Sequence, residues 1–137
     1  MDNGQWPILY KDILRVKDPS HHLGVCSLWT QRDVVQKLLE KTQYCVVGNL
    51  YSAQGINAMI RNVMANPSIR TIVIWGSEMS LSGHSLLMFM KKGVDEKRKI
   101  IGGRGEIEKE IPDSVLEEFR EKVEVVDLRG RNAKDFI

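Results

Sequence analysis

The sequence predicts one α/β domain, a three-layer α/β/α sandwich with a mostly parallel central sheet. Three observations carry this. Short runs of β-branched and aromatic residues at 23–29, 44–50, 69–75 and 124–128 alternate with stretches whose apolar residues recur at helical spacing. That alternation is the pattern of right-handed βαβ units around a parallel sheet. The length, 137 residues, supports one genuine core and is too short for two. The division expected is an arm at 1–22, a core at 23–130 and a tail at 131–137.

The arm carries two short apolar pieces, residues 6–10 and 13–16, read as an extended segment and a weak edge strand closed by the turn Lys17-Asp18-Pro19-Ser20. The first full strand is 23–29. Thr30 stands where an N-cap belongs, with Asp33 three positions on, before Val34, Val35, Leu38 and Leu39 mark the first helix. The second strand, 44–50, leads through Tyr51-Ser52-Ala53-Gln54-Gly55 into a helix whose inner face is Ile56, Met59, Ile60, Val63 and Met64. Asn66-Pro67 ends it, because a residue before proline resists the helical region. The third strand, 69–75, stops near Gly76, and a third helix opens at about Leu86 and ends at Gly93. Residues 100–103 read as a fourth strand, and 106–111 as either a short edge strand or a loop. A last helix starts near Pro112, where proline suits a first helical position, and strand 124–128 closes the series.

Composition excludes several functions. The formal charge of +2 comes from nearly balanced acids and bases, so nothing argues for nucleic acid as the partner. No apolar run approaches the ~20 residues of a membrane helix, and the start lacks a signal-peptide pattern, so a cytoplasmic protein is expected. Cys26 and Cys45 each lie inside an apolar strand-like run, as buried structural thiols do.

In an open parallel sheet, ligands sit beyond the carboxyl ends of the strands. The candidate small-molecule site is therefore the set of strand-end residues Gly48, Asn49, Gly76, Ser77 and Glu78, with Ser82, Gly83 and His84 beyond them and the turn Gly102, Gly103 and Gly105. Glycines permit close approach, Ser77 and Glu78 offer hydrogen bonds, and His84 is the one candidate metal contact. No catalytic residue is expected: the chain lacks a GxGxxG after its first strand, a Walker lysine, a HExxH pair and a GxSxG elbow. His21 and His22 are adjacent in a turn, and their side chains are expected to diverge.

The segments Gly48-Asn49 to Ile56-Asn57, Ile60 to Arg70 and Ile74-Trp75-Gly76-Ser77-Glu78 resemble the cytoplasmic domain of the A subunit of tetrahydromethanopterin S-methyltransferase. The resemblance continues through Ser82-Gly83-His84-Ser85-Leu86, Gly93-Val94-Asp95, Ile100 to Gly105 and Val125-Val126-Asp127-Leu128. A similar domain precedes the catalytic domain of some archaeal thymidylate synthases, and Leu28-Trp29-Thr30 is closer to that branch. The resemblance implies a Rossmann-like domain that holds a corrinoid (cobalamin) over the carboxyl edge of its sheet. In the methyltransferase, a loop histidine after Gly-Ser/Thr-Glu coordinates cobalt, and a methyl group passes between a pterin and coenzyme M. Here that loop is shorter. With Gly83 aligned to the family's second glycine, His84 falls where the family has glutamine; aligned without a gap, Ser82 takes the ligand position, and neither choice puts a histidine in register. The expected function is an accessory domain of a thymidylate synthase type of protein, working with a downstream catalytic domain. The alternative is a corrinoid-binding methyl carrier serving a methyltransferase partner.

Overall fold

A computed structural model describes residues 6–131. The described chain forms a five-stranded sheet in the order β1-β3-β2-β4-β5. The strands are β1 (Arg15–Val16), β2 (Leu23–Cys26), β3 (Val46–Gly48), β4 (Thr71–Ile74) and β5 (Glu124–Asp127), and β1 alone runs antiparallel, against β3. The helices are α1 (Arg32–Leu38), α2 (Ile56–Met64), α3 (Ser82–Lys92) and α4 (Asp113–Lys122), with a 3-10 turn at Ala53–Gly55.

The alternation of strand side chains sorts the core into two layers. Val25 and Val47 point to the face covered by Val35 and Leu39 of α1. Cys26, Ile72 and Ile74 point to the opposite face, where α2 brings Ile56 and Ile60, α3 brings Leu86 and Phe89, and α4 brings Leu116 and Phe119. Phe89 and Phe119 are fully buried, with ring centroids 6.1 Å apart. The three-layer α/β/α reading therefore holds.

Several local expectations do not hold, each for a stated reason. The strands are shorter than their apolar runs because the chain turns into loops at their carboxyl ends. After Cys26, Leu28 takes a left-handed backbone and the Trp29 amide donates to the Ser77 carbonyl (3.1 Å). Thr30 is not the cap of α1; that place falls to Gln31, without a side-chain bond. Helix α3 begins at Ser82, not near Leu86, because the left-handed Leu81 turns the chain and a carboxylate caps the new helix. Residues 100–103 are a turn rather than a strand, joined only by isolated bridges Val94 to Ile100 and Lys99 to Glu106. The amides of Ile100, Ile101 and Gly103 bond to backbone carbonyls of the turn itself and of Gly93, and the backbone of 106–108 finds side-chain partners instead of a ladder. Asn57 donates to the Glu106 carbonyl (3.0 Å) and accepts from the Glu108 amide (2.8 Å), and Arg98 donates to the carbonyls of Ile107 and Glu108.

The arm is bent rather than extended. The buried Trp6 donates its indole N–H to the Asn62 carbonyl (2.7 Å), and Asn62 Oδ1 accepts from the amides of Ile8 and Leu9 (2.9 Å each). His21 and His22 stack at 4.5 Å rather than diverging. The arm residues 1–5 and tail residues 132–137 of the expected division lie outside the described residues.

Candidate functional site

In this strand order β2 connects to β3 on one side, while β4 lies on its other side. The carboxyl ends of β2 and β4 therefore form the switch point at which open α/β sheets leave a crevice. Three loops meet there: residues 27–31 after β2, 49–52 after β3 and 75–81 after β4.

Inward-facing polar groups hold these loops to one another. Asn49 Nδ2 donates to the carbonyls of Leu28 (2.9 Å) and Thr30 (2.7 Å), which fixes the β2 loop from the end of β3. Thr30 Oγ1 accepts from the Ser77 amide (2.9 Å), tying the β2 loop to the β4 loop. Gly76 makes that approach possible: its φ is +115°, and a Cβ there would collide with the Ser27 carbonyl oxygen and stand 2.7 Å from Thr30 Oγ1. Only glycine suits both demands.

Glu78 is the hub of the edge. Its carboxylate accepts from the amides of Gly83 (3.1 Å) and His84 (2.8 Å), two donors left over at the start of α3. Arg129 donates to it at 2.9 Å and is itself forked onto Asp127 (2.8 and 2.9 Å), so the end of β5 is tied to the start of α3. Burial is the largest single influence on Glu78 and pushes its pKa up. The amides of His84 and Gly83 and the Arg129 guanidinium together outweigh it and hold the carboxyl below its ordinary value. For Asp127 the hydrogen bond from Arg129 is the leading cause of a lowered pKa. Both side chains are ionised scaffolding at neutral pH.

The structure thus brings Asn49, Gly76, Ser77, Glu78, Ser82, Gly83, His84 and the 102–105 turn to one edge, but turns much of that polarity inward. Ser82 Oγ donates to the Leu50 carbonyl (2.6 Å). The glycine turn packs on its neighbours: a Cβ on Gly103 would sit 2.9 Å from Ser85 Cα, and one on Gly105 2.9 Å from Ala53 Cβ. Gly48 is the last residue of β3, and the side on which a Cβ would stand faces Leu14 on the sheet face. His84 is half-buried in the first turn of α3, and its Nε2 is 3.0 Å from the Gly102 carbonyl oxygen. A carbonyl only accepts, so Nε2 is the donor, and in the neutral ring the lone pair is on Nδ1.

What faces outward is apolar and aromatic. Trp29 (42% exposed), Tyr51 (49%), Met79 (70%) and Leu81 (43%) belong to the three loops of the edge. Trp29 and Tyr51 meet edge to face at 5.0 Å, and the Trp29 indole N–H donates to the Tyr51 carbonyl (3.1 Å). Sequence reasoning passed over this ledge, although a signal was present. Cys26 and Gly48 are partners in register, and an aromatic residue stands three positions past each.

Both cysteines are buried, and burial pushes each thiol up to about 12, with Asp18 adding to the rise at Cys45. Neither is a nucleophile at neutral pH. Among the described residues no group of three or more His, Cys, Asp or Glu is placed to hold a metal, and no helix is long and apolar enough to cross a membrane.

These features define an α/β domain of the Rossmann-like kind, with an ordered carboxyl edge, an aromatic ledge and one imidazole held against a backbone carbonyl. Comparison with known proteins narrows the class. The family model for MtrA, the A subunit of tetrahydromethanopterin S-methyltransferase, matches residues 2–137, and the chain belongs to that family. It is 35% identical over 130 residues to the A 1 subunit of this methyltransferase in Methanothermobacter thermautotrophicus, covering 90% of this chain and 52% of the relative. The A 2 subunit of the same organism is 37% identical over 129 residues, covering 90% and 68%. The A subunit of Methanohalophilus mahii is 30% identical over 132 residues, covering 91% and 52%. The chain spans about half the length of the first of these relatives. These matches favour the methyltransferase-subunit reading over the expected thymidylate synthase accessory domain, for which they give no support.

Proposed function

We propose that this chain is a carrier domain of the MtrA type, which binds a corrinoid over the carboxyl edge of its sheet and presents it to a methyltransferase partner. The family match over residues 2–137 is the observation that carries the reading. A corrinoid bound there would supply a cobalt centre able to accept and release a methyl group.

The residues fit such a group in two respects. A large ring needs an apolar surface to lie against, and Trp29, Tyr51, Met79 and Leu81 supply one at the switch point. Metal-ligating histidines characteristically donate their second ring N–H to a backbone carbonyl, which fixes the tautomer and raises the basicity of the ligating nitrogen. His84 makes that bond to Gly102, and its Nδ1 keeps the lone pair. His84 is accordingly the residue to which we assign the metal contact, from the helix start rather than from a longer loop. The roles of the other groups follow from their bonds. Glu78, Arg129 and Asp127 hold the start of α3 in place, while Gly76, Ser77, Thr30 and Asn49 hold the loops that carry the ledge.

Equilibrium dialysis of the chain against hydroxocobalamin tests the reading. Saturable binding at one per chain, weakened about tenfold by Trp29→Ala with an unchanged melting temperature, is the expected result. Absence of binding, or binding that Trp29→Ala leaves untouched, would sink it.

A further inference from the structure

A cavity of about 320 Å³ lies between the sheet, α2 and the arm, beneath the 49–52 loop, and no step above uses its interior. We propose that it is a second binding site, for a single uncharged and largely apolar small molecule.

The cavity is written into the sequence by small residues. Gly24, Gly48, Gly55 and Ala58 all line it, two on the strands and two across from them at the 3-10 turn and α2. Gly24 is the informative one. It sits inside a β-strand, where glycine is unfavourable, with no left-handed backbone to demand it. A Cβ there would meet only Ile72 and Ile69 side chains, at ordinary contact distances of 3.7 and 3.8 Å, and the Thr71 carbonyl oxygen at 3.8 Å. Neither backbone conformation nor a clash demands this glycine, so the wall lacks a side chain it could carry.

The chemistry of the wall sets the ligand class. None of the residues lining the cavity is charged. Its two amide side chains have protein partners: Asn49 holds the β2 loop, and Asn62 holds the arm through the amides of Ile8 and Leu9 and the Leu9 carbonyl. A charged or strongly polar molecule would lose its hydration there without compensation. The exposed lining residues Tyr10, Tyr51 and Ser52 mark the open side, where one polar group on the ligand would find hydroxyls. A cavity of about 150 Å³ with aliphatic walls holds benzene. Twice that volume suits roughly a dozen non-hydrogen atoms. A corrin ring is far too large to enter, so the two sites share only the 49–52 loop at the cavity mouth.

The arm is the wall that admits the ligand. It hangs on the Asn62 bonds and the Trp6 indole, while Ile8, Tyr10 and Ile13 remain exposed.

The test uses the neutral fluorophore 1-aminonaphthalene, which matches the cavity in size, with the full chain. Saturable binding with a blue-shifted emission is expected, and Gly24→Val and Ala58→Leu, which fill the cavity from opposite walls, should each weaken it at least tenfold. Magnetisation transfer from the bound probe to the Met59 methyl in the unaltered chain gives a readout that does not depend on any variant folding. Failure of the probe to bind would overturn the proposal. So would binding that both folded filling variants leave intact, or transfer to Met79 in place of Met59. Hydroxocobalamin binding should be the same in the filling variants, which keeps this result independent of the edge.

Discussion

Replacing Glu78 with alanine should destabilise the domain far more than an ordinary surface change, because Glu78 is a helix cap and ion-pair hub. The substitution frees the Gly83 and His84 amides and removes one partner of Arg129, which keeps Asp127. Loss of an N-cap costs about 1 kcal/mol. Glu78 and Arg129 side chains are 18% and 25% exposed, so their pairing is less screened than a surface bridge and adds roughly 1 kcal/mol. The sum, ~2 kcal/mol, corresponds to a melting temperature lower by roughly 6–10 °C for a chain of this size. Urea denaturation at neutral pH measures it, with the exposed Glu117→Ala as a control expected within about 0.5 kcal/mol of the parent. The pH dependence has a definite sign. The folded-state pKa of Glu78 is lowered, so its contribution is complete above the ordinary glutamate value near 4.3 and is lost as pH falls through the lower folded value. The gap between parent and variant should therefore hold at pH 7 and narrow below about pH 4. A gap under about 0.5 kcal/mol at pH 7, or one that stays constant down to pH 3, would refute the reasoning.

Three further outcomes are expected. Gly76→Ala forces a side chain into the Ser27 carbonyl at φ +115°, and should cost about 2 kcal/mol or more in chemical denaturation. Thr30→Val removes the acceptor for the Ser77 amide and should cost roughly 1–2 kcal/mol by the same measurement. Met79→Asp, at the most exposed apolar residue of the ledge, should leave the melting temperature within about 2 °C of the parent while weakening hydroxocobalamin binding in dialysis.

The order of strands and helices was legible because alternation of strand-like and helical periodicity is a local signal, and each long apolar run did contain its strand. The ends of elements were not. Helix α3 starts four residues earlier than the apolar pattern indicates because its cap, Glu78, reaches back from a loop, and Ser82, Gly83 and His84 show no periodicity of their own. Residues 100–103 carry a strand-like pair of isoleucines, yet the backbone just after them bonds to Asn57, distant in the chain, and to the nearby Arg98 side chain. The candidate residues do gather along one edge, since strand ends can be read from glycines. Which of them face outward was not legible, because which side of a loop residue faces solvent depends on partners far away in sequence. Glu78 and Asn49 read as ligand groups and turn inward. Trp29 read as a strand end and Tyr51 as a loop start, and both turn outward.

The assignment of His84 as a metal contact is tested most directly with cobinamide, a corrinoid without a nucleotide base of its own, bound to the chain and reduced to cobalt(II). The electron paramagnetic resonance spectrum should then show nitrogen splitting from a single axial ligand, changing from a triplet to a doublet when the chain is labelled with 15N-histidine, and vanishing in His84→Ala. A bound cobinamide whose spectrum lacks axial nitrogen, or keeps it in His84→Ala, would contradict the account.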